Sequence, residues 1–240
     1  MSELVLVIGG SRGVGLLIVR RLIARGYRVR VLARDPSAAK EQVGSEVEVV
    51  FGDLTKDQTL RSAIVGVDHV ILTGGIPSGR MASAALVRAT DYKGALDALT
   101  AAKASGFKGR FVYLNSIGVT RPSLAGQLLN LMKRNTLLWR RLVEEEIRKS
   151  GIDYTIIRVG FLNNAAGGRR AVRVSQDALP LAVWNRIARA DVADVFVEAL
   201  AHPQASRATF DIVWGRGEPR EALCALLSRV KPDPQDAATI

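Results

Sequence analysis

The chain has 240 residues, 34 of them Lys or Arg and 23 Asp or Glu, for a formal charge of +11. Hydrophobic residues at 48% and charged residues at 24% exclude intrinsic disorder and suit one large packed domain. One cysteine excludes an intramolecular disulfide framework and a cysteine-built zinc site, and two histidines leave little for another metal centre.

The first element is Leu4–Ile8, a continuous apolar run that suits a strand buried on both faces of a parallel sheet. It is far shorter than the ~20 residues a membrane span requires. Glu3 before it and Gly9-Gly10 after it argue against a leader peptide. A glycine-rich turn follows, and then a helical pattern carried by Val14, Leu17, Ile18, Leu22 and Ile23 and closed by Gly26. Further strands are expected at 27–32, 47–51 and 69–73, with short helices starting near Pro36 and Asp57. Residues 81–105 read as a long helix, 110–114 as the fifth strand, 135–149 as a second long helix and 154–158 as the sixth strand. Beyond Gly167-Gly168 come a helix at 191–200, an extended segment at 209–214 and a helix at 221–230.

This alternation predicts a Rossmann-like α/β fold, a doubly wound and mostly parallel sheet with helices on both faces. A single domain is expected over 1–230, with 159–189 as a lid over the site and 231–240 as a tail. Arginine outnumbers lysine by 26 to 8, the arginines are dispersed, and aromatics are only 5%. Nucleic-acid binding would call for clustered cations with stacking aromatics, so a small anionic ligand is the expected partner.

In a doubly wound sheet ligands lie beyond the carboxyl ends of the strands. After the first strand comes Gly9-Gly10-Ser11-Arg12-Gly13-Val14-Gly15, whose glycines let backbone approach a pyrophosphate at a helix N-terminus. The second strand ends at Arg34-Asp35. Arg34, with Arg12 in reach, would pair a ribose 2′-phosphate and so favours NADP over NAD, whereas Asp35 shifted by one position would bind the ribose diol of NAD. Asp53 and Leu54 after strand three suit the adenine, although Asp53, Thr55 or Asp57 could instead cap the next helix. Thr73-Gly74-Gly75 after strand four leave room for a cofactor ribose or form a plain turn. Ser116 after strand five either holds a substrate carbonyl or caps a loop.

These residues resemble the NAD(P)H-binding, NmrA-like branch of the atypical short-chain dehydrogenase/reductase superfamily. Asp91-Tyr92, Ala101-Ala102-Lys103, Asn135 with Trp139-Arg140, Ser150-Gly151, Tyr154 to Arg158, Arg189 to Ala193 and Thr209-Phe210-Asp211 carry the resemblance further along the chain. It implies a Rossmann fold and bound NADP or NAD. Most members of the superfamily use a Tyr-x-x-x-Lys pair as proton donor and ribose ligand. Here those positions fall on Thr136 and Arg140, and none of the four tyrosines stands at the required offset.

Arginine can still donate to ribose hydroxyls but joins no proton relay, and threonine is too weak an acid to replace a phenol. Two readings follow. In one the protein is an NADPH-dependent reductase of a quinone, flavin or similar conjugated acceptor, with Ser116 and Arg140 as catalytic candidates that orient the reactants. In the other it binds NADP without turnover, as a redox sensor or a regulatory or assembly protein. Phe161 and Trp184 are expected in the core and Cys224 as a buried spacer. His69 and His202 are read as structural, and Glu144 to Glu146 with Arg140-Arg141 as a solvated helix face. A cytoplasmic protein without metal or membrane association is expected, with a monomer preferred to a homodimer.

Overall fold

The computed structural model describes residues 2–75, 82–219 and 221–234. Its spine is an eight-stranded sheet. Taken in chain order, β1 (Leu4–Ile8), β2 (Arg28–Ala33), β3 (Glu48–Phe51), β4 (His69–Leu72), β5 (Arg110–Ser116) and β6 (Asp153–Val159) are followed by three short strands. These are β7 (Phe161–Asn163), β8 (Val172–Ser175) and β9 (Arg186–Ala188), and β10 (Ala208–Trp214) completes the set. The sheet order is β3-β2-β1-β4-β5-β6-β10-β8, parallel throughout except that β8 runs antiparallel to β10 at the edge. β7 and β9 form a separate two-stranded sheet.

The period-two alternation of the strands builds two cores. Val5 and Val7 of β1 face one layer with Val29, Val31 and Ile71, whereas Leu6 and Ile8 face the other with Leu32, Val70 and Leu72. The first layer is covered by α1 (Gly13–Ala24) through Ile18 and Leu22 and by α8 (Arg189–Ala201) through Val195 and Phe196. The second is covered by α3 (Asp57–Ile64), α5 (Ala95–Ala104) and α7 (Thr136–Lys149), through Leu60, Ala98 and Val143. Burying a large aliphatic side chain stabilises the fold by ~1.5–3 kcal/mol, so the wholly buried β1 is among its strongest elements.

Three features differ from expectation. The long helix expected over 81–105 is broken: α4 (Ala84–Arg88) leads into a π-helical segment, Ala89–Gly94, before α5, while Met81 lies outside the described residues. The segment between Gly118 and Asn135, to which the sequence reading assigns no element, holds α6 (Leu124–Met132). The stretch 159–189, in which the sequence reading assigns no strand, carries β7, β8 and β9, with β8 joined to the main sheet through Ile212 and Trp214. The remaining helices, α2 (Pro36–Val43) and α9 (Leu223–Leu227), lie near their expected places. Among the described residues no helix is long and apolar enough to cross a membrane, and no group of three or more His, Cys, Asp or Glu could hold a metal ion.

Candidate functional site: a cleft at the sheet's switch point

The strand order reverses between β1 and β4, whose last residues, Ile8 and Leu72, are register partners. The chain ends are drawn together there, since the Thr73 amide and hydroxyl both donate to the Ile8 carbonyl, at 2.9 and 3.1 Å. Gly9 takes φ +90°, and a Cβ on it would lie 2.7 Å from the Gly74 nitrogen. A Cβ on Gly15 would overlap the Gly9 carbonyl oxygen. These positions therefore require glycine because backbone meets backbone. α1 begins at Gly13 with no acid in its first turn and no side-chain cap, leaving amides of partial positive charge at the cleft.

The resulting cleft has a volume of about 770 Å³, large enough for a dinucleotide. Its lining includes Gly9, Ser11, Arg12, Gly13, Val14 and Gly15 from the turn, and Arg34, Asp53, Leu54, Thr73, Gly74, Gly75 and Arg140 from other strand ends and α7. Two of the sequence-derived site residues stand elsewhere. Gly10 is a packing glycine, because a Cβ there would press on Val31 at 2.9 Å and on Val19 at 3.1 Å. Ser116 turns its hydroxyl onto the neighbouring Ile117 carbonyl at 3.0 Å, away from the cleft lining.

At the β2 and β3 tips, charge is sorted by hydrogen bonding. Asp35 accepts from the Ala38 amide at 3.0 Å through one carboxylate oxygen and caps α2, while it also lines the cleft. Arg34 is exposed beside it and lines the same cleft. The Asp53 carboxylate accepts from the amide and hydroxyl of Thr55, both at 2.9 Å. Partial burial works to raise the Asp53 pKa, but those bonds and the Arg34 charge outweigh it and hold the carboxyl below its ordinary range. None of Asp53, Thr55 and Asp57 caps α3; its cap position is Lys56, without a side-chain bond.

At the far end of the cleft the Arg140 guanidinium donates to the Leu114 carbonyl at 3.0 Å. A Cβ on Gly75 would meet Arg140 at 2.8 Å and the Asp91 carboxylate at 3.0 Å, so this glycine is what admits both groups. Burial opposes the Arg140 charge, but Asp91 and Tyr113 outweigh it and raise its pKa. Asp91 itself is buried, in the π-helical segment, and accepts from the Thr136 hydroxyl at 2.6 Å. Tyr113 lies near these charges, yet burial, opposed by Arg140 and aided by Asp91, pushes its phenol up to about 12. It is not a ready acid.

Sequence reasoning did not single out Asp91 or Thr90 for the site, although Thr90 lines the cleft, as do Leu162 and Arg189 of the segment expected over it. Arg189 is oriented by Asn164, whose side-chain oxygen accepts from it at 2.7 Å. A signal for Asp91 was present: it stands between Val87 and Ala95 at four-residue spacing, a carboxylate on an otherwise buried helix face.

Several secondary expectations are corrected. Glu144 is not part of a solvated face. It is buried and pairs with Arg158 of β6, at 2.9 Å to the Arg158 Nε, while also accepting from Asn115 and Arg148 at 2.7 and 3.0 Å. The solvated pair of that helix is Arg141 with Glu145 at 3.1 Å. Trp184 and Phe161 are exposed rather than core residues, and Cys224 is exposed. His69 is structural, accepting from the Arg110 amide at 3.0 Å through Nδ1.

A doubly wound sheet with a glycine-lined cleft at its switch point, fed by a helix N-terminus, defines a dinucleotide-binding Rossmann protein. The model of the NAD(P)H-binding family matches residues 9–203. The chain belongs to that family, within the atypical short-chain dehydrogenase/reductase superfamily and its NmrA-like branch. Sanguinarine reductase of Eschscholzia californica is 32% identical, with 95% of this chain and 97% of that protein covered. The NAD(P)H azoreductase of Xenophilus azovorans is 29% identical over 83% of this chain and 64% of its own length. Photosystem II assembly factor Ycf39 of Synechocystis is 26% identical over 89% and 64%. Among solved structures, a Bacillus halodurans protein assigned to the NAD-dependent epimerase/dehydratases superposes with a TM-score of 0.80 at 25% identity, covering 95% of this chain and 99% of that one.

Proposed function

We propose that this protein is an NADPH-dependent reductase of a conjugated acceptor, a quinone, a flavin or a compound of similar electronic character. The observation that carries the reading is the pair Thr136 and Arg140: the threonine hydroxyl is spent on Asp91, and the arginine faces the cleft as a fixed cation. Among the described residues, this pair offers no side-chain acid for a simple ketone. The reduced nicotinamide, when bound, supplies the hydride. A conjugated acceptor spreads the charge it receives, so water suffices as proton source. Arg140 orients the nicotinamide ribose through its donors, and the α1 amides meet the pyrophosphate.

Preference for NADPH is supported by Arg12 and Arg34, which line the cleft as two cations against the single carboxylate of Asp35, one oxygen of which caps α2. The names of the sanguinarine and azo reductases agree with a reductase. The Ycf39 relative keeps a second reading, NADP binding without turnover in a regulatory or assembly role, and an arginine that gives up no proton also suits it. Fluorescence titration with NADPH and NADH, followed by NADPH consumption with a quinone, a flavin and an aliphatic ketone, separates the two. Tight NADPH binding with quinone or flavin turnover and no ketone turnover is expected. Binding without any turnover favours the second reading, and rapid ketone reduction would overturn the missing-acid argument.

A further inference from the structure

α6 presents an apolar stripe to solvent. Leu124, Leu128 and Leu131 recur at four- and three-residue spacing along one face and are 85%, 58% and 75% exposed, with Met132 beside them at 63%. The opposite side is the one that packs: Gly126 is buried, and Leu129 rests on the small cluster of Ile117, Leu137 and Leu181. The Ser123 hydroxyl that caps the helix also donates to the Leu181 carbonyl at 3.0 Å. This bond ties the start of α6 to the loop that carries Val183 and Trp184, themselves 70% and 74% exposed. Folded domains rarely leave a stripe of three leucines and a methionine in water unless something covers it.

The charge next to the stripe along the chain is one-signed: residues 117–137 hold Arg121, Lys133 and Arg134 and no Asp or Glu. Arg121 and Arg134 are exposed at the two ends of α6, and Arg186 is exposed beside Trp184. In the adjoining 176–186 segment the one acid is Asp177. A second copy is a poor occupant, because two chains of charge +11 would bring like-charged rims together.

We propose that this face docks on an anionic lipid bilayer. α6 lies in the interface plane, its leucines and Met132 enter the acyl boundary, and Trp184 sits at headgroup depth. Arg121, Arg134 and Arg186 meet the lipid phosphates. The attachment is peripheral, since the helix has nine residues.

The test is co-sedimentation of the full chain with vesicles of phosphatidylcholine alone and of phosphatidylcholine mixed with phosphatidylglycerol. The chain is expected to pellet with the mixed vesicles only, and less as NaCl is raised. Leu128→Gln with Leu131→Gln should weaken that binding roughly tenfold or more at an unchanged circular dichroism spectrum. Trp184 emission should shift to the blue on the mixed vesicles, a change absent in Trp184→Phe. Failure to pellet with the mixed vesicles would overturn the proposal, as would undiminished binding of the double variant. A concentration-dependent dimer that the double variant dissociates would assign the face to a second copy instead.

Discussion

The Thr136 hydroxyl donates to the Asp91 carboxylate over 2.6 Å, joining the helix after β5 to the π-helical segment beside β4. In the Tyr-x-x-x-Lys arrangement of the superfamily, the residue at this position gives its proton to substrate. Here it is a structural donor that holds the counter-charge of Arg140 in place.

Asp91→Ala should therefore destabilise the protein by about 2 kcal/mol, because it strips the compensating charge from a partly buried guanidinium. Thr136→Val removes one hydrogen bond and should cost about 1 kcal/mol. Urea denaturation of both variants checks the ranking; equal, small losses would mean that Arg140 is neutralised by another group.

Arg34→Ala should weaken NADPH binding about tenfold or more, the loss of a charge-assisted contact, and leave NADH binding within roughly twofold. Parallel fluorescence titrations decide it. Equal losses for both nucleotides would show that Arg34 reads no 2′-phosphate.

Glu144→Gln leaves the buried Arg158 without its principal carboxylate, and a loss of about 3 kcal/mol is expected. Glu145→Gln on the same helix removes only the exposed pair with Arg141 and should change stability by less than about 1 kcal/mol. Thermal unfolding of the two variants side by side provides the comparison.

Asp211 supplies a pH dependence. Burial pushes its carboxyl up to about 6 from the ordinary 3.8, although the Leu179 amide and Arg158 pull the other way. Between those values the folded chain binds the proton more tightly than the unfolded chain. The contribution of this group to stability is consequently greatest below about pH 4 and falls as pH rises towards 6 and beyond. The difference in melting temperature between wild type and Asp211→Asn should shrink or reverse across that window. A difference that stays flat with pH would show that Asp211 does not titrate there.

Much of the fold is legible along the chain, for a physical reason that is local. Leu4–Ile8 must be a doubly buried strand because five apolar residues in succession have no polar face, and the structure buries all five. Gly9 and Gly15 announce a backbone that approaches backbone, and the close contacts at both are there. The strands and helices up to β6 follow from the same apolar periodicity. The short strands β7, β8 and β9 do not, since three or four residues carry too little pattern to be told from loop.

The sequence by itself determined the Rossmann architecture, the glycine cradle and the absence of a tyrosine and a lysine where the superfamily places them, since each rests on residue type and spacing within one element or turn. Only the tertiary structure decided the rest. Glu144 looks like one of three solvated acids until β6 brings Arg158 against it. Asp91 becomes the partner of Thr136 across 45 residues of chain. Asp35 caps α2 because the Ala38 amide comes within 3.0 Å of one of its oxygens, a bond its neighbour Arg34 has no counterpart to. The leucines of α6 carry a core-like pattern, yet they face water because no described element packs over them. Burial of a charge and exposure of an apolar side chain depend on what a distant segment brings to the spot, and spacing along the chain does not encode that.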